Sequence, residues 1–473
     1  MGPIALAACV CFSTMLYILD NKRRNKPLGA LWFPLVYLLF ECSRPIVLWL
    51  NPGGQEGASS SNFINSLPDT LLLLFLFAGG IYVLIKRKLH WSFFFRNNLY
   101  ILFFFLYCGL SILWADFPII SLKAWIKMLI QPLMALVILT ESDVIDALTT
   151  TVKRMAFILL PLSIVLIKYY PVYGRYYTLG GVGTYGGVTT YKNTLGALCM
   201  FAGLLILWNL IFLLRDKTQP SRNIHLLVNI SMIGITIWLM LTADSATSLA
   251  TFIIGSFILF LFNLRFMKTK VVLIKITLIV LVIISSVSVF FPTILENAAN
   301  MLGRDPTLTG RTVIWERVLS VDTNPLFGPG YSNFWQGERA SQLLDVNQVP
   351  LNQAHNGYLE VYKNLGLIGL ILLGLTIFTS ISKVSNTLIL NNSLGMLQIA
   401  YMAAILLSNV TEASYGIKSI LWFIFILISI KYPANMKDER PVSETMSQIT
   451  DSLHYKATTH GLLIPFFQCF GLQ

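Results

Sequence analysis

Gln353-Ala354-His355-Asn356-Gly357-Tyr358-Leu359-Glu360 is the point at which a long, mostly polar connection ends and an apolar run to Ser380 begins. A hydrocarbon core about 30 Å thick needs roughly 20 apolar residues per helix, and the run that starts at Tyr358 is long enough. Composition says that lipid is the solvent for most of the chain. Of 473 residues 55% are hydrophobic and only 12% charged, with a mean hydropathy of +0.69, more apolar surface than a soluble core can hide. Helices satisfy their backbone polar groups internally, so a polytopic helical bundle is expected.

Working outward, similar apolar runs cover residues 4–19, 28–50, 70–85, 99–114, 125–139, 155–169, 194–214, 224–241, 245–263, 271–291, 394–410 and 417–430. The fold class is therefore an all-α polytopic membrane protein of twelve or thirteen transmembrane helices with one large external loop. The bundle is expected over residues 1–430, including the loop 292–357, and a cytoplasmic polar tail over 431–473. A connection as long as 292–357 exceeds what joins ordinary helix pairs, so a partly helical cap or lid is expected there.

The formal charge of +12 lies in short clusters between apolar runs, at 22–26, 86–88, 215–222 and 265–275, rather than along one face. Positive-inside bias accounts for this and nucleic acid does not. Alternation from the 21–26 cluster puts the N-terminus outside, the C-terminus inside, and loops 51–66, 170–193 and 292–357 outside. The N-terminal run has no basic residue ahead of it and is read as a first anchor, not a cleaved signal. Cys9, Cys11, Cys42, Cys108 and Cys199 fall in apolar runs and Cys469 in the tail, which disfavours a disulfide framework. Ser43-Arg44-Pro45 and the Ser111–Pro118 stretch place charge where lipid gives way to water. Each reads either as an interfacial anchor or as a wall of an external cavity.

His90, His225, His454 and His460 fall on the cytoplasmic side of this topology, and His355 faces outward. Its ordinary pKa of about 6.5 lets it take a proton at neutral pH; the plainer reading is a helix cap. The same loop carries Gly303-Arg304-Asp305 and Gly310-Arg311 followed by Trp315 and Glu316. Arginine offers the bidentate, permanently charged fork that suits phosphate, although a solvated surface arginine is the simpler alternative. The 170–193 loop adds Arg175, a glycine cluster from Gly180 to Gly187, and Lys192-Asn193 at the entrance to a helix, where main-chain amides and a cation suit an anion. P-loop, H-E-x-x-H, D-x-D and G-x-S-x-G patterns are absent. Cations around one histidine at membrane level suit a membrane-anchored diphosphate carrying a sugar.

These residues resemble the O-antigen ligase and Wzy-like polymerase superfamily of bacterial membrane glycosyltransferases. His355-Asn356, nine residues, Gly366, two residues and Gly369 match the ligase signature. Gly310-Arg311 with Trp315 and Lys192-Asn193 with Gly196 are similar to further family patches. The resemblance implies transfer of a glycan from undecaprenyl pyrophosphate to an acceptor such as lipid A core or a growing polysaccharide. It places this in the inner membrane, on the periplasmic face, without metal or cofactor. It implies His355 as general base and Arg311 and Arg175 as the cations on the leaving group, with Lys192, Asn193, Arg304, Trp315, Asn356 and Glu360 around the substrate. Glu316 and Glu360 are fallback bases. The polymerase pattern of Arg, fifteen residues and Gly is missing at Arg175, Arg304, Arg311, Arg317 and Arg339, which favours a ligase over a polymerase. A polysaccharide or lipid-linked sugar transporter is the non-enzyme alternative; its charges should sit mid-membrane on broken helices.

Overall fold

Eight helices among the described residues are long and apolar enough to cross a membrane: Gly2–Asp20, Leu67–Lys86, Pro118–Leu139, Val144–Tyr169, Lys192–Arg215, Arg222–Ala243, Gly357–Leu390 and Asn392–Thr411. A bent pair, Trp91–Asn97 and Leu99–Trp114, turns through 86° and supplies a ninth if counted as one span. Three shorter apolar helices, Gly29–Glu41, Ala246–Leu261 and Ile420–Ser429, match three more of the expected runs. The computed structural model describes residues 1–21, 29–51, 66–87, 89–177, 183–215, 222–262, 275–280, 311–343 and 351–432. The expected run 271–291 is helical at 275–280 and otherwise lies outside them, as does the tail from 433. The chain is an all-α, multi-pass membrane protein; among the described residues one hairpin pairs Arg175–Tyr177 antiparallel with Gly183–Tyr185.

Burial sorts the helices into layers. All ten residues of Ile420–Ser429 are buried, so this helix, apolar all round, is a core element despite being too short to span. Val144–Tyr169, Lys192–Arg215 and Asn392–Thr411 bury 83%, 72% and 72% of their apolar stretches, whereas Gly2–Asp20 buries 6% and forms the rim.

Two breaks in the apolar helices position everything that follows. The run 28–50 is divided: Trp32–Glu41 ends at Cys42, and Pro45 restarts a short helix at Ile46–Leu50. Between them Arg44, 2% exposed, turns inward. Its Nη2 donates to the carbonyls of Tyr173, Gly187 (2.8 Å) and Thr189 (3.1 Å), its backbone N–H donates to Val188 O (2.9 Å), and its guanidinium lies 5.0 Å from the Trp49 ring centre. One buried arginine thus fastens the 170–190 segment to this break.

The second break is Gly366, at φ +63° and ψ −167°, inside Gly357–Leu390. The amides it frees are taken by a loop: Leu367 N–H donates to Pro325 O (2.9 Å) and Ile368 N–H to Leu326 O (3.2 Å), while Gly330 N–H donates to Asn364 O (3.1 Å). Irregular backbone in a membrane protein needs such partners. A Cβ on Gly366 would fall 2.3 Å from the Leu326 carbonyl. Glycines at 366, 369 and 374 in one apolar run would, from the sequence, be expected to admit a neighbouring helix; the structure differs. Gly366 admits a loop backbone, a Cβ on Gly369 would meet Leu365 of its own helix, and Gly374 faces open space.

The Ser111–Pro118 stretch proves to be the seat of that same loop. Ser111 Oγ accepts from Tyr331 N–H (2.9 Å), Asn333 Oδ1 accepts from Phe117 N–H (2.7 Å), and Asp116 pairs with Arg339. The described part of the expected cap is partly helical, at Arg311–Ser320 and Gly337–Gln342.

Gly366→Ala should destabilise by more than about 2 kcal/mol, because a left-handed backbone and a main-chain clash coincide, whereas Gly374→Ala should be neutral or slightly stabilising. Melting of the detergent-solubilised variants compares them; equal melting temperatures would mean that the loop does not dock on the break. Arg44→Lys, which cannot serve three carbonyls and one ring at once, should cost about 1–3 kcal/mol per carbonyl left unpaired and open residues 183–190 to protease. An unchanged digestion pattern would remove Arg44 as the fastener.

Candidate active site

A cavity of about 530 Å³ lies between the 42–48 break, Tyr176 and residues 190–194, the start of Ala246–Leu261 and the ends of the last three helices. His355, Glu412, Tyr191, Lys192, Asn193 and Lys418 line it. All of these segments fall on one side of the chain's expected alternation. Cys42, Ser43 and Pro45 also line it, so the Ser43-Arg44-Pro45 stretch is a cavity wall with its arginine turned away behind.

Glu412 follows the last turn of Asn392–Thr411 and gathers three distant residues. Its Oε1 accepts from Arg311 Nη2 at 2.7 Å and from Asn193 Nδ2 at 2.7 Å. Its Oε2 lies 3.8 Å from His355 Nδ1, a charge contact longer than a hydrogen bond. Asn193 is oriented from its other side, where Ser245 Oγ donates to Asn193 Oδ1 (3.1 Å). The Gly196 of this patch has a spatial reason: a Cβ there would come within 2.4 Å of Ser248 Oγ, so glycine lets the start of Ala246–Leu261 approach.

His355 has φ +48°, and its Nδ1 is buried with no hydrogen-bond partner in the protein. Its neighbours hold it there. Ala354 O accepts from Trp315 Nε1 (2.9 Å), and Ala354 N–H donates to Glu360 Oε2 (3.0 Å). Asn356 caps the following helix by accepting from Tyr358 N–H and Leu359 N–H, both at 3.0 Å, and donates to Val410 O (3.0 Å). The side chain itself is 28% exposed and lines the cavity.

The structure thus brings His355, Arg311, Lys192 and Asn193 to one place and arranges the other expected site residues differently. Trp315 and Asn356 are fully buried behind His355, and Glu360 is occupied by Trp335 Nε1 (2.6 Å), Asn364 Nδ2 (3.2 Å) and Ala354 N–H. These three support His355 from behind rather than line the cavity. Arg175 is held elsewhere: its Nε donates to Ile167 O (2.8 Å), its guanidinium stands over the Tyr185 ring, and its neighbour Tyr176 lines the cavity while it does not. Lys192 Nζ donates to Asp244 O (3.2 Å) and is the cation that segment does present. Arg304 lies outside the described residues. Glu316 is exposed on the Arg311–Ser320 helix and does not line the cavity. Glu412, Ser245, Glu41 and Lys418 were not anticipated as site residues. Among the described residues no three His, Cys, Asp or Glu side chains group as metal ligands.

What the arrangement can do follows from charge. A carboxylate facing Nδ1 favours the tautomer with its proton there, leaving Nε2 as an acceptor, and stabilises the imidazolium once a proton is taken. Arg311 and Asn193 keep that carboxylate in place.

Residues 230–374 match the family model for O-antigen ligase. The chain is also 26% identical over 297 residues to an exopolysaccharide production protein, ExoQ, of Rhizobium meliloti (strain 1021). That match covers 60% of this chain and 65% of the relative, a little under two thirds of its length. The matched family segment contains Arg311, Trp315, His355, Asn356 and the Gly366 break. Over that segment the chain is similar to the O-antigen ligase family.

Proposed function

We propose that this protein is a glycosyltransferase that moves a glycan from undecaprenyl pyrophosphate to an acceptor hydroxyl, at the periplasmic face of a bacterial inner membrane. The observation that carries the reading is His355 facing Glu412 at 3.8 Å across a cavity that opens between membrane helices. The acceptor hydroxyl gives its proton to His355 Nε2 as its oxygen bonds to the anomeric carbon. The bond from that carbon to the diphosphate oxygen breaks, and undecaprenyl diphosphate leaves with the electron pair. One direct displacement inverts the anomeric centre. The leaving group needs cations, a role given to Lys192 on the cavity lining and to Arg311, which bonds the lining residue Glu412; preorganised charge of this kind is often the largest catalytic contribution. The chemistry uses no metal or nucleotide.

Two versions of the reaction remain distinct. In the ligase version the acceptor is a different molecule, such as lipid A core. In the polymerase version it is another lipid-linked repeat. The missing Arg-x15-Gly pattern favours the ligase. A transporter fits less well, because the gap of the broken helix at Gly366 is filled by loop backbone from Pro325 to Gly330 and not by a charged binding site.

His355→Gln keeps the shape and a hydrogen bond but removes the base, so turnover should fall about 10²- to 10⁴-fold with melting unchanged. Near-full turnover in the purified variant would end the assignment. Purified protein supplied with a defined lipid-linked donor alone separates the two versions: the ligase reading expects no product until core acceptor is added, and a ladder of longer lipid-linked chains would replace it with the polymerase.

A further inference from the structure

At another wall of the same cavity stand Glu41 and Lys418, an acid and a base that the proposed transfer does not use. Glu41 ends the Trp32–Glu41 helix and is 5% exposed; its carboxyl bonds the Tyr37 hydroxyl, and its Oε1 has no hydrogen-bond partner in the protein. Lys418 immediately precedes the Ser419 cap of the central Ile420–Ser429 helix. Its Nζ is buried, makes no hydrogen bond, and lies 4.9 Å from the centre of the Phe40 ring. Its backbone is left-handed, at φ +55°.

Opposite charges in one buried cavity lining would ordinarily close on one another or find carbonyls, as the cations of Arg44 and Lys363 do. Here each belongs to the cavity lining and keeps one buried polar atom without a hydrogen-bond partner. We propose that Glu41 and Lys418 form a subsite for the uncharged hydroxyls of a sugar ring, one hydroxyl donating to Glu41 Oε1 and a neighbouring oxygen accepting from Lys418 Nζ. A hydroxyl both donates and accepts, so adjacent hydroxyls satisfy an acid and a base together. A carboxylated sugar or a phosphate satisfies the lysine but meets the glutamate as a like charge. The pair therefore selects neutral sugar over acidic sugar, while the diphosphate stays with Lys192 and Arg311. This deepens the reading of the cavity as a glycan site and rests on it.

The test is saturation-transfer NMR on the full chain in detergent, with methyl glucoside, methyl galactoside and methyl glucuronide as probes. The neutral glycosides are expected to bind and the glucuronide not to. Lys418→Asn suits the left-handed backbone and is too short to reach the ligand, so it should keep the wild-type melting temperature and weaken the neutral glycosides about tenfold, the worth of one charge-assisted hydrogen bond. Glu41→Gln should admit the glucuronide. Should the glucuronide bind wild type as well as the neutral glycosides do, or folded Lys418→Asn bind them undiminished, the subsite is wrong. Because binding of free glycosides does not need turnover, His355→Gln protein should bind them as wild type does. Failure of the transfer reading would show in turnover alone, and failure of the subsite in the NMR.

Discussion

The contact between Arg311 and Glu412 ties the loop before the Gly357–Leu390 helix to the end of the Asn392–Thr411 helix, and Asn193 fastens a third segment to the same oxygen. Both charged partners are more than four-fifths buried, at 16% and 17% exposure, so their desolvation offsets much of their attraction and the pair is a poor source of net stability. Its consequence is geometric. The carboxylate has one oxygen saturated by two donors, which leaves the other directed at His355. Any one of these groups alone would be an uncompensated, largely buried charge or polar group; together they specify one arrangement.

That arrangement depends in turn on the backbone rule of lipid, that freed amides and carbonyls must find partners inside the protein. The chain breaks its helices at 42–45 and at Gly366, and each break is stitched by a segment adjoining the site. Arg44 holds the 173–189 backbone, whose continuation carries Lys192 and Asn193. The turn from Asn324 to Gly330 covers Gly366, and Lys363 Nζ donates to Val321 O (2.7 Å), holding the end of the Arg311–Ser320 helix close. Breaking the helices is thus what gives the polar loops a fixed seat at the membrane bundle.

This division also explains what could be read from the sequence. The apolar runs gave the bundle because periodicity and length are local properties, and His355-Asn356 with Gly366 stood out because their spacing records a helix cap and a helix break on one element. The Ile420–Ser429 run was visible too, but hydropathy cannot distinguish a helix facing lipid from one buried by its neighbours. Glu412 was missed for the opposite reason. A single carboxylate after an apolar helix looks like any residue at an interface, and its meaning comes from partners 101 and 219 positions away. For Arg175, spacing does not reveal that Ile167 O and the Tyr185 ring hold its guanidinium.

Strain marks the same site independently. Four non-glycine residues among those described have positive φ: Asp244, Ser332, His355 and Lys418. His355 and Lys418 line the cavity, and Asp244 holds Lys192, which lines it as well. Such conformations cost about 1–3 kcal/mol each and persist only where the surroundings over-determine them. At His355 the surroundings are visible: the Asn356 cap, the Trp315 bond to Ala354 and the Glu360 bond to the Ala354 amide fix the backbone on both sides. Trp315, Asn356 and Glu360 therefore act on the site through the direction they impose on one imidazole. A base held in a strained backbone against a fixed carboxylate needs little reorganisation when charge develops, which is the condition under which electrostatic stabilisation is most effective.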